Sequence, residues 1–529
     1  MKLAAAAIVL VLLAALFARC TIWSGNRIRA MRWRIRLRLH PGPGFASSGE
    51  LVFRWSRLAA FHHGRRARPG LRLRHRLRSR TTGYAVRLGR AQWFRRCFAR
   101  MEDQVLIMAA QRTGKTGLVA DRILDHPGPV LATSTRADLY ESTAGARALR
   151  GPVHVLNPQG VGGVPSTLAW DLLGPCEDLV MARRMASWLK VPEIGGDLRW
   201  FQDKGDVALA AMFWAAAVNG STILDVYEWV QLHGHATCLE ILAEHPGSSR
   251  QMFAVAKRMF EENRTSGSIR DTIDLTLSWA ILPGLAEAVT PAPGAGFSAA
   301  DFTSECGSLY LIAAGDDDSP VTPLFRALAS WVHYEAGLAG SKGRHKRLDP
   351  PLLMALDEVT QVCPVDLPVM LSDSAGKGVL ITAVCHSMSQ LEQRWGKHGA
   401  ATVWATCGTK VLLGAISDPE TLEHASLLCG TTGEDSQRVV PPELLRMLPD
   451  WRALVIRMNL SPVIVKVRPA WWRLGYRLGR HPLPVPAVPL LRSPRLRFPE
   501  PADAEPAVPA PMNGHGGKPG PLAKVGTDG

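Results

Sequence analysis

Two short motifs have residue types suited to phosphate chemistry. Residues 105–117 read VLIMAAQRTGKTG: an apolar run enters a polar turn, then Gly114-Lys115-Thr116, then the helical pattern Leu118–Leu124. A turn of this kind wraps phosphates with backbone N–H donors, and the helix N-terminus behind it adds the positive end of its dipole. Gln111, Arg112, Thr113, Gly114, Lys115, Thr116 and Gly117 are therefore the expected nucleotide-binding residues. Lys115 neutralises the β- and γ-phosphates, and the Thr116 hydroxyl ligates Mg²⁺. The second motif is Leu352-Leu353-Met354-Ala355-Leu356-Asp357-Glu358, an apolar run ending in two acids. Asp357 is placed to hold Mg²⁺ with Thr116, and Glu358 to polarise the attacking water. Each motif alone is a weak signal. Together they fit one mechanism, a P-loop ATPase whose catalytic residues are Lys115, Asp357 and Glu358 and whose cofactors are ATP and Mg²⁺.

One departure stands out. The full phosphate-loop pattern places Gly where this chain has Ala109, and Ala tolerates a positive φ poorly.

These motifs need elements to position them. Short apolar runs recur at Val105–Ala109, Val130–Ala132, Val153–Leu156, Leu309–Ala313, Leu352–Leu356, Val379–Val384, Val411–Leu413 and Leu454–Ile456. They do not alternate, which suits strands buried on both faces of a parallel sheet. Helical patterns lie between several of them, so the expected class is α/β, a P-loop fold with a predominantly parallel sheet. Residues 101–166 and 301–480 form this domain. Residues 167–300 carry long helical patterns, such as the all-round apolar Val207–Val218, and read as an inserted all-helical domain.

Further candidates follow from the sheet. Val379–Val384 delivers Cys385-His386-Ser387 at its C-terminal end, the edge where ligands sit in an open parallel sheet. His386 and Gln390 are the candidate γ-phosphate sensors. Lys377 and Arg394 are the candidate cations for a neighbouring subunit's phosphates. His233, His235 and Cys238 match no common zinc spacing. Asp316-Asp317-Asp318 reads most simply as a solvated turn.

The termini differ in texture. Leu3–Ala18 is uninterrupted and apolar, followed by Arg19 and a run of arginines from Arg27 to Arg38. Positive charge on that side resists translocation, so residues 1–20 read as a membrane anchor with the bulk of the chain cytoplasmic. Residues 21–100 contain 21 Arg and a single acid, a basic juxtamembrane region suited to anionic lipid or nucleic acid. In places Arg alternates with apolar residues, which fits a strand with one basic face as well as a solvated linker. The Pro-rich residues 481–529 read as a disordered tail. Nine scattered Cys with no CxxC argue against a disulfide framework.

Residues 111–140, 151–160, 352–396 and 407–432 together resemble the type IV coupling proteins, the TraG/TraD-like ATPases of conjugation, in their actinobacterial form. The resemblance implies a RecA-like homo-hexameric motor with an inserted all-helical domain and an N-terminal membrane anchor, which docks relaxase-bound single-stranded DNA at a type IV secretion channel and couples ATP hydrolysis to transfer. DNA transport comes from the resemblance alone. Family members usually carry Gly at position 109, often Gln at 386, and Arg near 377; they commonly have two spanning helices, where one is evident here. The alternatives are an FtsK-like DNA translocase and a nucleotide-binding receptor that hydrolyses little, the latter favoured by Ala109.

Overall fold

The computed structural model describes residues 42–477 apart from 92–94, 191–197, 293–294, 316–318 and 434–435. The apolar run 3–18, the alternating segment 32–38, the Asp316–Asp318 triplet and the tail 481–529 lie outside the described residues. Among the described residues no helix is long and apolar enough to cross a membrane.

The strands are β1 (Ala85–Arg90), β2 (Arg96–Arg100), β3 (Val105–Met108), β4 (Val130–Ser134), β5 (Val153–Leu156), β6 (Ser308–Ile312) and β7 (Leu352–Leu356). They continue with β8 (Val379–Cys385), β9 (Thr409–Leu413), β10 (Thr431–Thr432), β11 (Gln437–Arg438), β12 (Arg452–Arg457) and β13 (Leu460–Lys466). Eleven of them form one sheet in the order β2-β1-β13-β12-β9-β3-β8-β7-β4-β6-β5, and β10 and β11 pair separately.

The seven strands from β9 to β5 are mutually parallel. Six of these, β3, β4, β6, β7, β8 and β9, are buried at every residue. That burial is why their sequences are continuous apolar runs rather than alternating ones. The helices Lys115–Asp125, Asp138–Ala148, Thr322–Lys342, Leu367–Lys377 and Met388–Thr406 make the crossovers.

Between β5 and β6 the described residues form helices and turns and no strand. The helix Leu198–Asn219 is buried at every residue from Ala208 to Ala216, so neighbours cover it on all sides. Side-chain caps start the surrounding helices: Asp178, Ser249 and Asn263 accept from their first turns, and Thr222 forms a capping box with Asp225. This region shares the motor's core. Trp170 stacks on Trp331 of the helix Thr322–Lys342, with ring centroids 6.0 Å apart.

The basic segment contributes to the sheet. The β1–β2 hairpin continues the sheet beyond β13, so the expected boundary at residue 101 falls inside it. Upstream of the hairpin, Trp55 is fully buried near Arg457, which pairs with Asp103 at 2.6 Å. The Ala46 amide donates to the Pro462 carbonyl, and the Ser461 amide to Glu50. Arg68 pairs with Asp349, and Arg347 with Glu102. The described part of the basic region, residues 42–100, is thus packed on the motor.

Removing residues 42–100 therefore strips two strands and leaves the buried Asp103–Arg457 pair without its cover. A chain starting at residue 101 is expected to aggregate, because β13 becomes an open edge. Size-exclusion chromatography of this chain beside the full-length protein checks it; a monodisperse, cooperatively melting truncation would refute the packing described.

Candidate nucleotide site

The sheet order assembles the site. β8 lies between β3 and β7, and all three run parallel. Their C-terminal ends therefore deliver the 109–114 loop, His386 and the Asp357-Glu358 pair side by side. Backbone bonds continue the zipper past the strands: the Ala109 amide donates to the Cys385 carbonyl and the Val359 amide to the Val384 carbonyl.

The loop is held by its own contacts. The Thr113 hydroxyl donates to the Ala110 carbonyl at 2.6 Å. Gly114 is left-handed at φ 94°, and a Cβ there would meet the Trp451 ring at 2.4 Å. Glycine is thus required on two counts. Arg112 is also left-handed, at φ 60°. Ala109 is not among the residues of positive φ and is fully buried. The strain expected of alanine in place of glycine does not arise, because the loop enters with an ordinary backbone.

Lys115 is the centre of the cluster. Its Nζ donates to Glu358 Oε1 at 2.7 Å and lies 3.0 and 3.1 Å from the ring nitrogens of His386. His386 Nδ1 also lies 3.0 Å from the Ala109 carbonyl, which can only accept. We therefore assign Nδ1–H to Ala109; Nε2 faces both Lys115 Nζ at 3.1 Å and Glu358 Oε2 at 3.2 Å. Burial alone raises the pKa of Glu358, but His386 and Lys115 beside it outweigh that and hold the carboxyl below its usual range.

Asp357 faces elsewhere. Its Oδ2 accepts from the Thr116 hydroxyl at 3.4 Å, and its backbone carbonyl from the Thr133 hydroxyl at 2.9 Å. Glu358 is left-handed at φ 50°, which breaks the extended alternation. Two successive carboxylates can then serve one site. Burial first, and Glu358 second, raise the Asp357 pKa to about 6. Its Oδ1 is buried with no hydrogen-bond partner. An orphaned carboxylate oxygen beside a threonine hydroxyl fits Mg²⁺, which keeps several waters and takes one or two protein ligands plus phosphate oxygens. Thr116 and Asp357 are the residues that would hold it.

The other expected residues fall in different places. The Gln390 side-chain Oε1 accepts from the His386 amide at 2.9 Å, so Gln390 shapes the turn into the helix Met388–Thr406. Arg394 sits in the second turn of that helix with its Nε buried. Lys377 lies at the opposite, N-terminal edge of the sheet and pairs with Asp373 one turn earlier. His235 bonds the Leu232 carbonyl, and burial pushes the Cys238 thiol up to about 12. Among the described residues no group of three or more His, Cys, Asp or Glu is arranged to hold a metal. Two contacts had no signal in the sequence: Trp451 against Gly114, and Trp471 against Gly117, where a Cβ would meet the ring at 2.5 Å. A cavity of about 480 Å³ lies on the flank of the helix Lys115–Asp125, lined by Arg87, Asp121, Arg122, Asp125 and Trp472, and includes neither the 109–117 loop nor Asp357 and Glu358.

A mostly parallel sheet, a phosphate loop opening a helix and an acidic strand end one strand removed define a P-loop NTPase fold. Residues 351–441 match the family model described as the TraM recognition site of TraD and TraG. A probable conjugal transfer protein TraG from Sinorhizobium fredii is 30% identical over 88 residues, 16% of this chain and 14% of that protein. The match thus spans about one seventh of that relative's length. Among solved structures, the plasmid coupling protein TrwB with an ATP analogue superposes with a TM-score of 0.57 at 20% identity, covering 70% of this chain and 86% of that one. TrwB with ADP and Mg²⁺ gives 0.55 at 20% identity, with the same coverage. TrwB with a GTP analogue gives 0.54 at 19% identity, again with the same coverage. Over residues 351–441 the chain is thus similar to the TraG and TraD coupling proteins, the resemblance its motifs carry.

The buried Asp357 charge should cost stability. Its carboxyl titrates near 6 in the folded chain against 3.8 ordinarily. The penalty is then complete above pH 6 and is relieved as pH falls toward 4. Without nucleotide, Asp357→Asn should stabilise the protein at pH 7.5 by up to about 3 kcal/mol, with the gain falling by about half at pH 5. Melting curves of both proteins at the two pH values check this; no gain at pH 7.5 would refute the assignment.

Proposed function

We propose that this chain is a membrane-anchored ATPase that couples ATP hydrolysis to the transfer of relaxase-bound single-stranded DNA through a type IV secretion channel in conjugation. The observation that carries the reading is the convergence of Lys115, Glu358 and His386 at the ends of three adjacent strands, with Asp357 turned to Thr116 beside them. The relatives supply the biological setting. TrwB is a conjugative coupling protein, solved with ATP and GTP analogues and with ADP and Mg²⁺.

The chain's own residues take the following parts. The amides of the 111–117 loop and the start of the helix Lys115–Asp125 bind the phosphates. Lys115 moves from Glu358 to the phosphate oxygens. Glu358, relieved of that cation, orients the attacking water and accepts its proton. His386 touches both Lys115 and Glu358, so it senses whether they are paired. Mg²⁺, when bound, neutralises charge on the phosphate oxygens. The anchor is the apolar run 3–18, and the working assembly is a homo-hexamer on the cytoplasmic side of the membrane. Lys377 or Arg394 serves a neighbouring subunit's phosphates.

The test is ATP turnover by the full-length chain in detergent micelles, with and without single-stranded DNA. DNA is expected to stimulate turnover. Lys115→Ala and Asp357→Ala are each expected to lower it by roughly a hundredfold or more. Unchanged turnover in Asp357→Ala would overturn the site; nucleotide binding without turnover in the unaltered chain would make it a receptor rather than a motor.

A further inference from the structure

We propose that Trp451 and Trp471 form an aromatic seat for the nucleobase, making the site tolerant of adenine and guanine alike. This rests on the phosphate-loop reading above and extends it to the other end of the substrate. β12 runs antiparallel to β9, with Ala453 beside Leu413, so β12 begins at the edge where β9 ends. β13 returns antiparallel, with Lys466 beside Arg452, so residues 467–472 arrive at the same edge. This edge also carries the 109–114 loop, since β3 and β9 are parallel neighbours.

The two rings sit on the loop backbone. Trp451 lies against Gly114 and Trp471 against Gly117, the residues flanking Lys115-Thr116. Lys115 serves the β- and γ-phosphates, while the amides beyond it serve the α-phosphate. The ribose and base hang from the α-phosphate, so they leave the loop on the Gly117 side. The ring planes of Trp451 and Trp471 stand at 84° with centroids 6.1 Å apart. They make a corner that offers a face and an edge to a planar base. Trp472 packs against Trp451 as well, with ring centroids 5.0 Å apart. Trp471 remains 39% exposed, an apolar ring left open beside a polar loop.

The backbone supplies an independent observation. Trp451 is left-handed at φ 60°, a conformation bulky side chains avoid. Nine described non-glycine residues have positive φ, and three of them, Arg112, Glu358 and Trp451, surround this one site. Such strain persists where the surroundings over-determine it, and it gathers at ligand sites. Stacking uses the π-face that every base has and reads no hydrogen-bonding edge. Discrimination between purines is therefore small.

Calorimetry on the full-length chain tests this with Mg²⁺ complexes of ATP, GTP, ribose 5-triphosphate and inorganic tripolyphosphate. In the unaltered chain, ATP and GTP should bind within a few-fold of each other and about tenfold more tightly than ribose 5-triphosphate. The double variant Trp451→Leu/Trp471→Leu should lose about tenfold for ATP and GTP while keeping tripolyphosphate affinity. The double Phe variant should retain most of the purine affinity. Equal affinity for ATP and ribose 5-triphosphate in the unaltered chain would overturn the seat. So would an equal loss of tripolyphosphate binding in the Leu variant, since the rings would then serve only to hold the loop. If the unaltered chain binds tripolyphosphate no better than Lys115→Ala does, the phosphate-loop reading fails instead.

Discussion

A buried ammonium sets the terms for the site. Lys115 is 7% exposed, and a charge so placed is costly unless it is paired and hydrogen-bonded. Its partners come from two other strands, Glu358 from the end of β7 and His386 from the end of β8. The strand order β3-β8-β7 is what brings them within reach. If β7 lay directly beside β3, with β8 elsewhere, His386 would not stand between Lys115 and Glu358. The left-handed turn at Glu358 matters as much. In extended chain the two acids would point to opposite faces; here one meets the lysine and the other the threonine.

The opposite flank of the sheet shows how the basic segment is used. Its arginines are not all available to lipid or nucleic acid. Arg87 pairs with Asp121 and Asp125, which Arg473 also binds. Arg68 is taken by Asp349. These acids lie on the motor, two of them on the phosphate-loop helix itself. The hairpin formed by β1 and β2 covers β13, whose own edge would otherwise invite pairing with another chain. Arg-rich composition thus serves two ends: folding where acids wait on the motor, and surface charge where none do.

The parallel strands were legible because burial on both faces leaves a plain apolar run. β13 was not, because Pro462 interrupts it, nor were β1 and β2, whose apolar stretches are no more than three residues long and broken by arginines or Gly. Lys115, Asp357, Glu358 and His386 could be anticipated together, since strand ends of a parallel sheet share an edge. The type and place of Gln390 suit a sensor, but its side-chain Oε1 is engaged by the His386 amide. Ala109 was read as strained because the glycine rule concerns φ, and φ is not written in the sequence. The Trp451–Gly114 contact was beyond reach. It depends on an antiparallel return at the end of the motor, and no local pattern announces it.

The pairing of Lys115 with Glu358 has a chemical consequence on the proposed reading. While the ammonium rests on Glu358, that carboxyl is held below its usual range and is a poor proton acceptor. Burial acts the other way and is the largest influence on the group. His386 and Lys115 both oppose it; once phosphate draws Lys115 aside, only the His386 contact still does, so Glu358 becomes more basic. His386, touching both groups, then loses its contact with the lysine and keeps those to Ala109 and Glu358. The base is thereby strengthened when a triphosphate is in place and restrained when it is not. Linking basicity to occupancy in this way limits proton abstraction to the state in which there is phosphate to transfer.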